Sequence, residues 1–150
     1  MRFLTDVMLG RLTRYLRMMG HDVVYADEIE GGDVDDVVAD RAARDDRTLV
    51  TRDGALATAV DDAVLLAARD VGDQLLALHE ATGVPLRLPD EPRRCSACGD
   101  PLDELAADDP RPAHAPDAVD RVWRCRDCGQ HYWRGSHWDD VADRLAALRD

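Results

Sequence analysis

Two kinds of residue in this chain have the types and spacing to do chemistry: paired cysteines, and aspartates that close short apolar runs. All four cysteines fall in two CxxC pairs, Cys95-Ser96-Ala97-Cys98 and Cys125-Arg126-Asp127-Cys128. Two such pairs supply the four thiolates that a tetrahedral structural Zn²⁺ prefers. The spacer between them is longer than usual, and a polar insertion accounts for the excess as a loop. Vicinal disulfides or redox pairs compete with zinc. So tight a cluster, with no secretory signal pattern ahead of it, favours the metal. A shell closed by four sulfurs stabilises folding and leaves no open position for catalysis.

The aspartates point to a second site. Phe3-Leu4-Thr5-Asp6 and Arg47-Thr48-Leu49-Val50-Thr51-Arg52-Asp53 share one design, a short apolar strand that delivers a carboxylate at its C-terminal end. If the two strands are neighbours in a parallel sheet, Asp6 and Asp53 sit side by side at the edge where open sheets form sites. Two carboxylates held together repel unless a cation or proton lies between them. Asp36, expected in the first turn of a helix one crossover before Asp53, can return to the same edge. Such an oxygen-only cluster suits Mg²⁺ or Mn²⁺. It could activate water and stabilise charge on a phosphodiester. Each aspartate could instead be a helix cap or a solvated surface acid, a serious alternative for Asp53, which begins a helix; Asp6, at a strand end beside an apolar run, is the hardest to explain that way. Arg11, Arg14 and Arg52 are the nearest cations for phosphate, although a solvated helix face accounts as well for the first two.

Strands alternating with helices must position these groups. Strands are expected at Arg2 to Thr5, Val23 to Tyr25, Arg47 to Thr51 and Val64 to Leu66. The first helix has Leu9, Leu12, Leu16 and Met19 inward, Arg11, Arg14 and Arg17 between them, and Gly20 as its stop. A second helix, capped by Asp33 or Asp35, carries Val34, Val38 and Ala42 on one face. A short helix runs from Asp53 to about Val60, and another from Asp70 to Ala81. This order predicts a three-layer α/β domain with a mostly parallel sheet over residues 1–88. Pro85, Pro89 and Pro92 mark a linker into a second unit, residues 89–150. There the acidic stretch Asp100 to Asp120 lacks periodicity and is expected to be a mobile loop. Short strands follow at Arg121 to Arg124 and Gln130 to Trp133, then a helix carrying Trp138, Val141, Leu145 and Leu148. His131 and His137 flank an aromatic stretch and are surplus as zinc ligands. They either pack the ribbon on its neighbour or join a nucleic-acid contact made by Arg and stacked rings.

Composition limits what the aspartates mean. The chain carries a net charge of -12 and 31 Asp and Glu, and all 19 of its basic residues are Arg. That balance resembles proteins adapted to high salt, with most aspartates on a hydrated surface, so only position identifies a site. The acidity opposes nonspecific RNA or DNA binding at low salt; in molar salt, screening to about 3 Å weakens that objection. No apolar run approaches the ~20 residues of a membrane span. The expectation is a cytoplasmic protein with no membrane partner.

The ordered motifs resemble a known family. Phe3 to Asp6, Leu9-Gly10-Arg11-Leu12 to Leu16-Arg17-Met18-Met19-Gly20-His21-Asp22, and Arg47 to Asp53 are similar to the PIN-like ribonucleases named after the C-terminal domain of the Mut-seven protein. Cys125-x-x-Cys128, Tyr132-Trp133 and Gly135-Ser136-His137 resemble the zinc ribbon that follows the nuclease domain in that family. The resemblance implies a PIN-like fold and metal-dependent cleavage of RNA. It carries the acid set onto Asp6, Asp36 and Asp53, with Asp35 in place of Asp36 if the helix register shifts by one. An additional mid-chain acid of full-length PIN nucleases has no clear match, Asp27 being the nearest substitute. The competing function is a non-catalytic RNA- or ribosome-associated binding module built on the ribbon. A toxin-like protein with an antitoxin partner is a third.

Overall fold

Four short aliphatic runs form one sheet in the computed structural model, which describes residues 1–150. The strands β1 (Arg2–Thr5), β2 (Asp22–Tyr25), β3 (Thr48–Thr51) and β4 (Ala63–Leu65) are parallel throughout, in the order β2-β1-β3-β4. Thr5 pairs with Tyr25 on one side and Val50 on the other. Parallel neighbours need crossovers; α1 (Gly10–Met18), α2 (Asp35–Arg44) and α3 (Gly54–Thr58) supply them, and α4 (Val71–Thr82) follows the last strand.

Alternation along the strands divides the core in two. Phe3, Val23 and Val50 pack with Leu9, with Leu12 and Leu16 of α1, and with Leu75 and Leu78 of α4. Leu4 and Leu49 face the opposite way, against Val38 and Ala42 of α2 and Leu56 of α3. The result is the expected three-layer α/β arrangement. The remaining elements are an antiparallel sheet of β5 (Leu102–Glu104), β6 (Trp123–Cys125) and β7 (His131–Tyr132), then α5 (Ser136–Arg149). Val141 and Leu145 of α5 are buried in the same core as Leu12 and Leu75. The chain therefore ends by returning to its first layer. No helix is long and apolar enough to cross a membrane.

Several local expectations need correction. Val34 stands at the N-cap of α2 and is exposed, and neither Asp33 nor Asp35 caps the helix. Leu65 is also exposed, at the end of the edge strand β4. The stretch read as an unstructured loop from Asp100 begins with β5. This edge strand is held by charge, Arg126 Nε donating to Asp103 and Arg121 Nε to Glu104, both at 2.9 Å.

Arg17, one of the polar positions between the apolar ones of α1, is only 3% exposed. Its Nη2 donates to the Val23 carbonyl at 3.0 Å and to Glu28 at 2.8 Å, while Nη1 reaches the Ala97 carbonyl at 3.3 Å. Arg17 thus ties β2 to the first cysteine knuckle. Arg17→Met keeps the aliphatic stem but strands both carbonyls, and should destabilise the protein by ~2–3 kcal/mol. Urea denaturation with zinc retained checks this; an unchanged midpoint would mean that the contact contributes nothing.

Candidate functional site

The strand order reverses at β1, whose neighbours β2 and β3 lie on opposite sides, and Asp6 and Asp53 follow the adjacent strands β1 and β3. The Asp6 N–H donates to the Val50 carbonyl at 3.0 Å, extending the β1–β3 ladder to the aspartate itself. Asp6 is 8% exposed. Its Oδ1 accepts the Val7 N–H at 2.7 Å and its Oδ2 accepts the Thr51 hydroxyl at 2.8 Å. The same Thr51 oxygen accepts the Asp53 N–H at 3.0 Å. One hydroxyl therefore couples the two aspartate positions.

Asp53 also caps α3, its Oδ1 accepting from Ala55 N at 2.9 Å and Leu56 N at 3.4 Å. Capping fixes the carboxylate in place and leaves Oδ2 without a protein partner. Charge at this edge is felt by Tyr25, whose hydroxyl donates to the Val7 carbonyl at 2.6 Å. Burial raises its pKa, and Asp27, Glu28 and Asp6 raise it further, against Arg14.

Asp36 does not join this pair. It is exposed and lines a surface groove with Glu30, Asp40, Arg41 and Arg44. In α2 the buried residues are Val38 and Ala42. Asp35 precedes them by three and seven positions and Asp36 is turned about 100° further, but both are exposed and neither gathers with Asp6 and Asp53. Asp27 and Glu28 are exposed on the turn Ala26–Glu28 after β2. Arg52, beside Asp53, is half-buried with its Nε shielded from solvent and without a hydrogen-bond partner. Arg11 and Arg14 are exposed along α1.

The cysteines converge fully. All four sulfurs lie within 4.8 Å of one another, and no other set of three or more metal-ligating side chains is so gathered. Cys95 Sγ is 3.6 Å from Cys128 Sγ, and Cys98 Sγ is 3.4 Å from Cys125 Sγ. A tetrahedron with Zn–S bonds of about 2.3 Å has edges of about 3.8 Å, so the spacing fits zinc. Burial raises the Cys95 thiol, but the Tyr132 hydroxyl and the backbone N–H groups of Cys98 and Ala97 outweigh it and hold the thiol to about 7. Burial pushes Cys98 upward. Four sulfurs this close share negative charge comfortably only around a cation.

Three supports were not read from the sequence. Tyr132 places its hydroxyl 3.0 Å from Cys95 Sγ while accepting the Ser96 N–H at 3.0 Å. Gly99 and Gly129 each follow a second cysteine with φ of +88° and +79°, a left-handed turn open to glycine. Their N–H groups bond back to the carbonyls of Cys95 and Cys125 at 2.8 and 3.2 Å. Gly99 is doubly constrained, since a Cβ there would lie 2.9 Å from Arg17 Nε. The signal was present as CxxCG, repeated twice.

Together these features define a three-layer α/β protein with two carboxylates at its strand-order reversal and a four-cysteine metal-binding module in zinc-ribbon form. More narrowly, the chain belongs to the Mut7-C RNAse domain family, whose match spans residues 1–145. Membership assigns it a ribonuclease-type domain with RNA as the class of substrate. Comparison with curated proteins and with solved structures finds no match.

Proposed function

We propose that this protein is a divalent-metal-dependent, PIN-like ribonuclease that hydrolyses RNA phosphodiester bonds at the Asp6–Asp53 edge. The observation that carries this reading is that one hydroxyl, Thr51, binds both the Asp6 carboxylate and the Asp53 N–H at adjacent parallel strand ends. Their oxygen donors, one of them without a protein partner, match the hard ligands that Mg²⁺ and Mn²⁺ take. A third acid would come from the first turn of α2, which carries Asp35 and Asp36. Bound there, the cation would supply Lewis-acid stabilisation of the charge developing on the phosphodiester.

The protein's own part is positional. Two hydrogen bonds fix Asp6, and the cap fixes Asp53, so neither carboxylate must be ordered when substrate arrives. Arg52 adjoins them in sequence and carries a guanidinium, the group that pairs with phosphate oxygens. A non-catalytic RNA-binding role gains weight from one fact, that capping already explains Asp53 without a metal.

Cleavage of end-labelled single-stranded RNA, with Mg²⁺ or Mn²⁺ supplied or withheld from zinc-loaded protein, separates the two. Cleavage that appears only with the added ion is the expected result. Binding without cleavage under every condition would leave the non-catalytic role.

A further inference from the structure

Between α1, the first cysteine knuckle, β7 and the start of α5 lies an open cleft of about 720 Å³. Arg11, Arg14, Arg94, Arg144, His131 and His137 line it, and no carboxylate does. In a chain with 31 Asp and Glu, an acid-free cleft with four guanidinium groups is a local positive field on a negative surface. Arg11 and Arg14 are free to use that charge. Arg17, Arg41, Arg44, Arg47, Arg121 and Arg126 each pair with a carboxylate, whereas Arg11 and Arg14 make no ion pair.

The cleft also presents aromatic faces: Tyr15, Tyr132, Trp133 and Trp138 line it. Two of these are held in place before any ligand arrives. The Trp133 ring lies 5.3 Å from the His114 ring, and its Nε1 is so close to Gly135 that a Cβ there would stand 2.8 Å away. Tyr15 accepts a hydrogen bond from Arg144 Nη1 at 2.6 Å. Fixed rings beside unpaired cations are what a nucleic-acid strand with unstacked bases requires. The position is apt as well. Arg11 occupies the first turn of α1, the helix that begins just after Asp6, and Tyr25 feels the charge of both Asp6 and Arg14.

We infer that this cleft binds a single-stranded segment of RNA, its phosphates on Arg11, Arg14 and Arg144 and its bases stacked on Trp133 and Trp138, and leads the strand to the Asp6–Asp53 edge. The last clause rests on the ribonuclease reading; binding in the cleft does not. A duplex keeps its bases stacked on one another and cannot use these rings.

The test is fluorescence anisotropy of a short labelled oligouridylate on zinc-loaded Asp6→Asn protein with no Mg²⁺ or Mn²⁺ added. Arg14→Ala and Trp133→Ala, each placed in that background, should weaken binding by ~10-fold or more. Arg14→Ala should also make the salt dependence shallower by about one unit of log–log slope. Trp133→Phe should restore most of the affinity, and a matched RNA duplex should bind more weakly than the single strand. Arg14 is exposed, so its variant reports binding even if Trp133→Ala disturbs the ribbon. Unchanged affinity in Arg14→Ala, or equal affinity for the duplex, overturns the proposal. The two readings separate cleanly. Metal-dependent cleavage with unchanged KM in Arg14→Ala and Trp133→Ala removes the cleft and keeps the nuclease. Cleft-dependent binding with no cleavage keeps the cleft and removes the nuclease.

Discussion

Asp6→Asn should lower metal-dependent RNA cleavage by ~10²–10³-fold or more while leaving the fold intact, the scale expected for losing one fixed electrostatic group at a reacting centre. The substitution is nearly isosteric, and the structure supplies partners for the new amide. Its carbonyl oxygen can still accept the Val7 N–H that Asp6 Oδ1 accepts now at 2.7 Å. The Thr51 hydroxyl, now a donor to Asp6 at 2.8 Å, can turn to accept from the amide nitrogen. What disappears is a negative charge beside Asp53. Single-turnover cleavage rates, read with a thermal midpoint, measure the effect. Wild-type rates in the variant would remove Asp6 from the reaction.

Cys98→Ser should have the largest structural effect. Structural zinc in small modules contributes apparent binding free energies of ~10–16 kcal/mol, and that energy is folding energy for the module. Few side chains stabilise the ribbon otherwise: its buried residues include Val122, Trp123, Cys95 and Cys125. Cys98 Sγ sits 3.4 Å from Cys125 Sγ, so its loss opens the four-sulfur shell directly. The variant should purify with less than one equivalent of zinc and with Trp123 exposed to solvent. The parallel sheet should persist, because Phe3, Leu4, Leu49 and Val50 pack without the ribbon. Metal analysis together with tryptophan emission checks this. Full zinc content with unshifted emission would mean that three sulfurs suffice.

The two effects separate the metals by role. A ribbon variant should fail through folding, and an edge variant through chemistry alone. The cleft lies between them, lined by Ser96 and Ala97 of the first knuckle and by Arg11 and Arg14 of α1. Zinc loss should therefore also weaken RNA binding, by removing one wall of that cleft.

Legibility in the sequence followed how local each determinant was. The adjacency of Asp6 and Asp53 was readable because each closes a compact apolar strand, and parallel pairing of β1 with β3 brings their ends together. The cysteine cluster was readable because CxxC spacing is itself geometry. Thr51 was visible as a strand residue, but its hydroxyl bridge depends on register across two strands. Arg17 looks polar in any helical pattern, and only the knuckle folding back with Ala97 explains its burial. Asp36 stands in the first turn of α2 as expected, but its exposure beside Glu30 and Asp40 depends on how the helix packs, which periodicity alone does not give. Strand β5 was missed because Asp103 and Glu104 are held by arginines from elsewhere in the chain, leaving no apolar alternation to detect.

In the proposed reaction Asp6 and Asp53 hold the divalent cation that cleavage needs. Electron paramagnetic resonance titration of zinc-loaded protein with Mn²⁺, wild type against Asp6→Asn, tests it most directly. Saturable Mn²⁺ binding in the wild type, weakened at least ~10-fold in the variant and saturating over the same range that activates cleavage, is the predicted result. Equal Mn²⁺ binding in both proteins, or cleavage at full rate with no bound Mn²⁺, would contradict it.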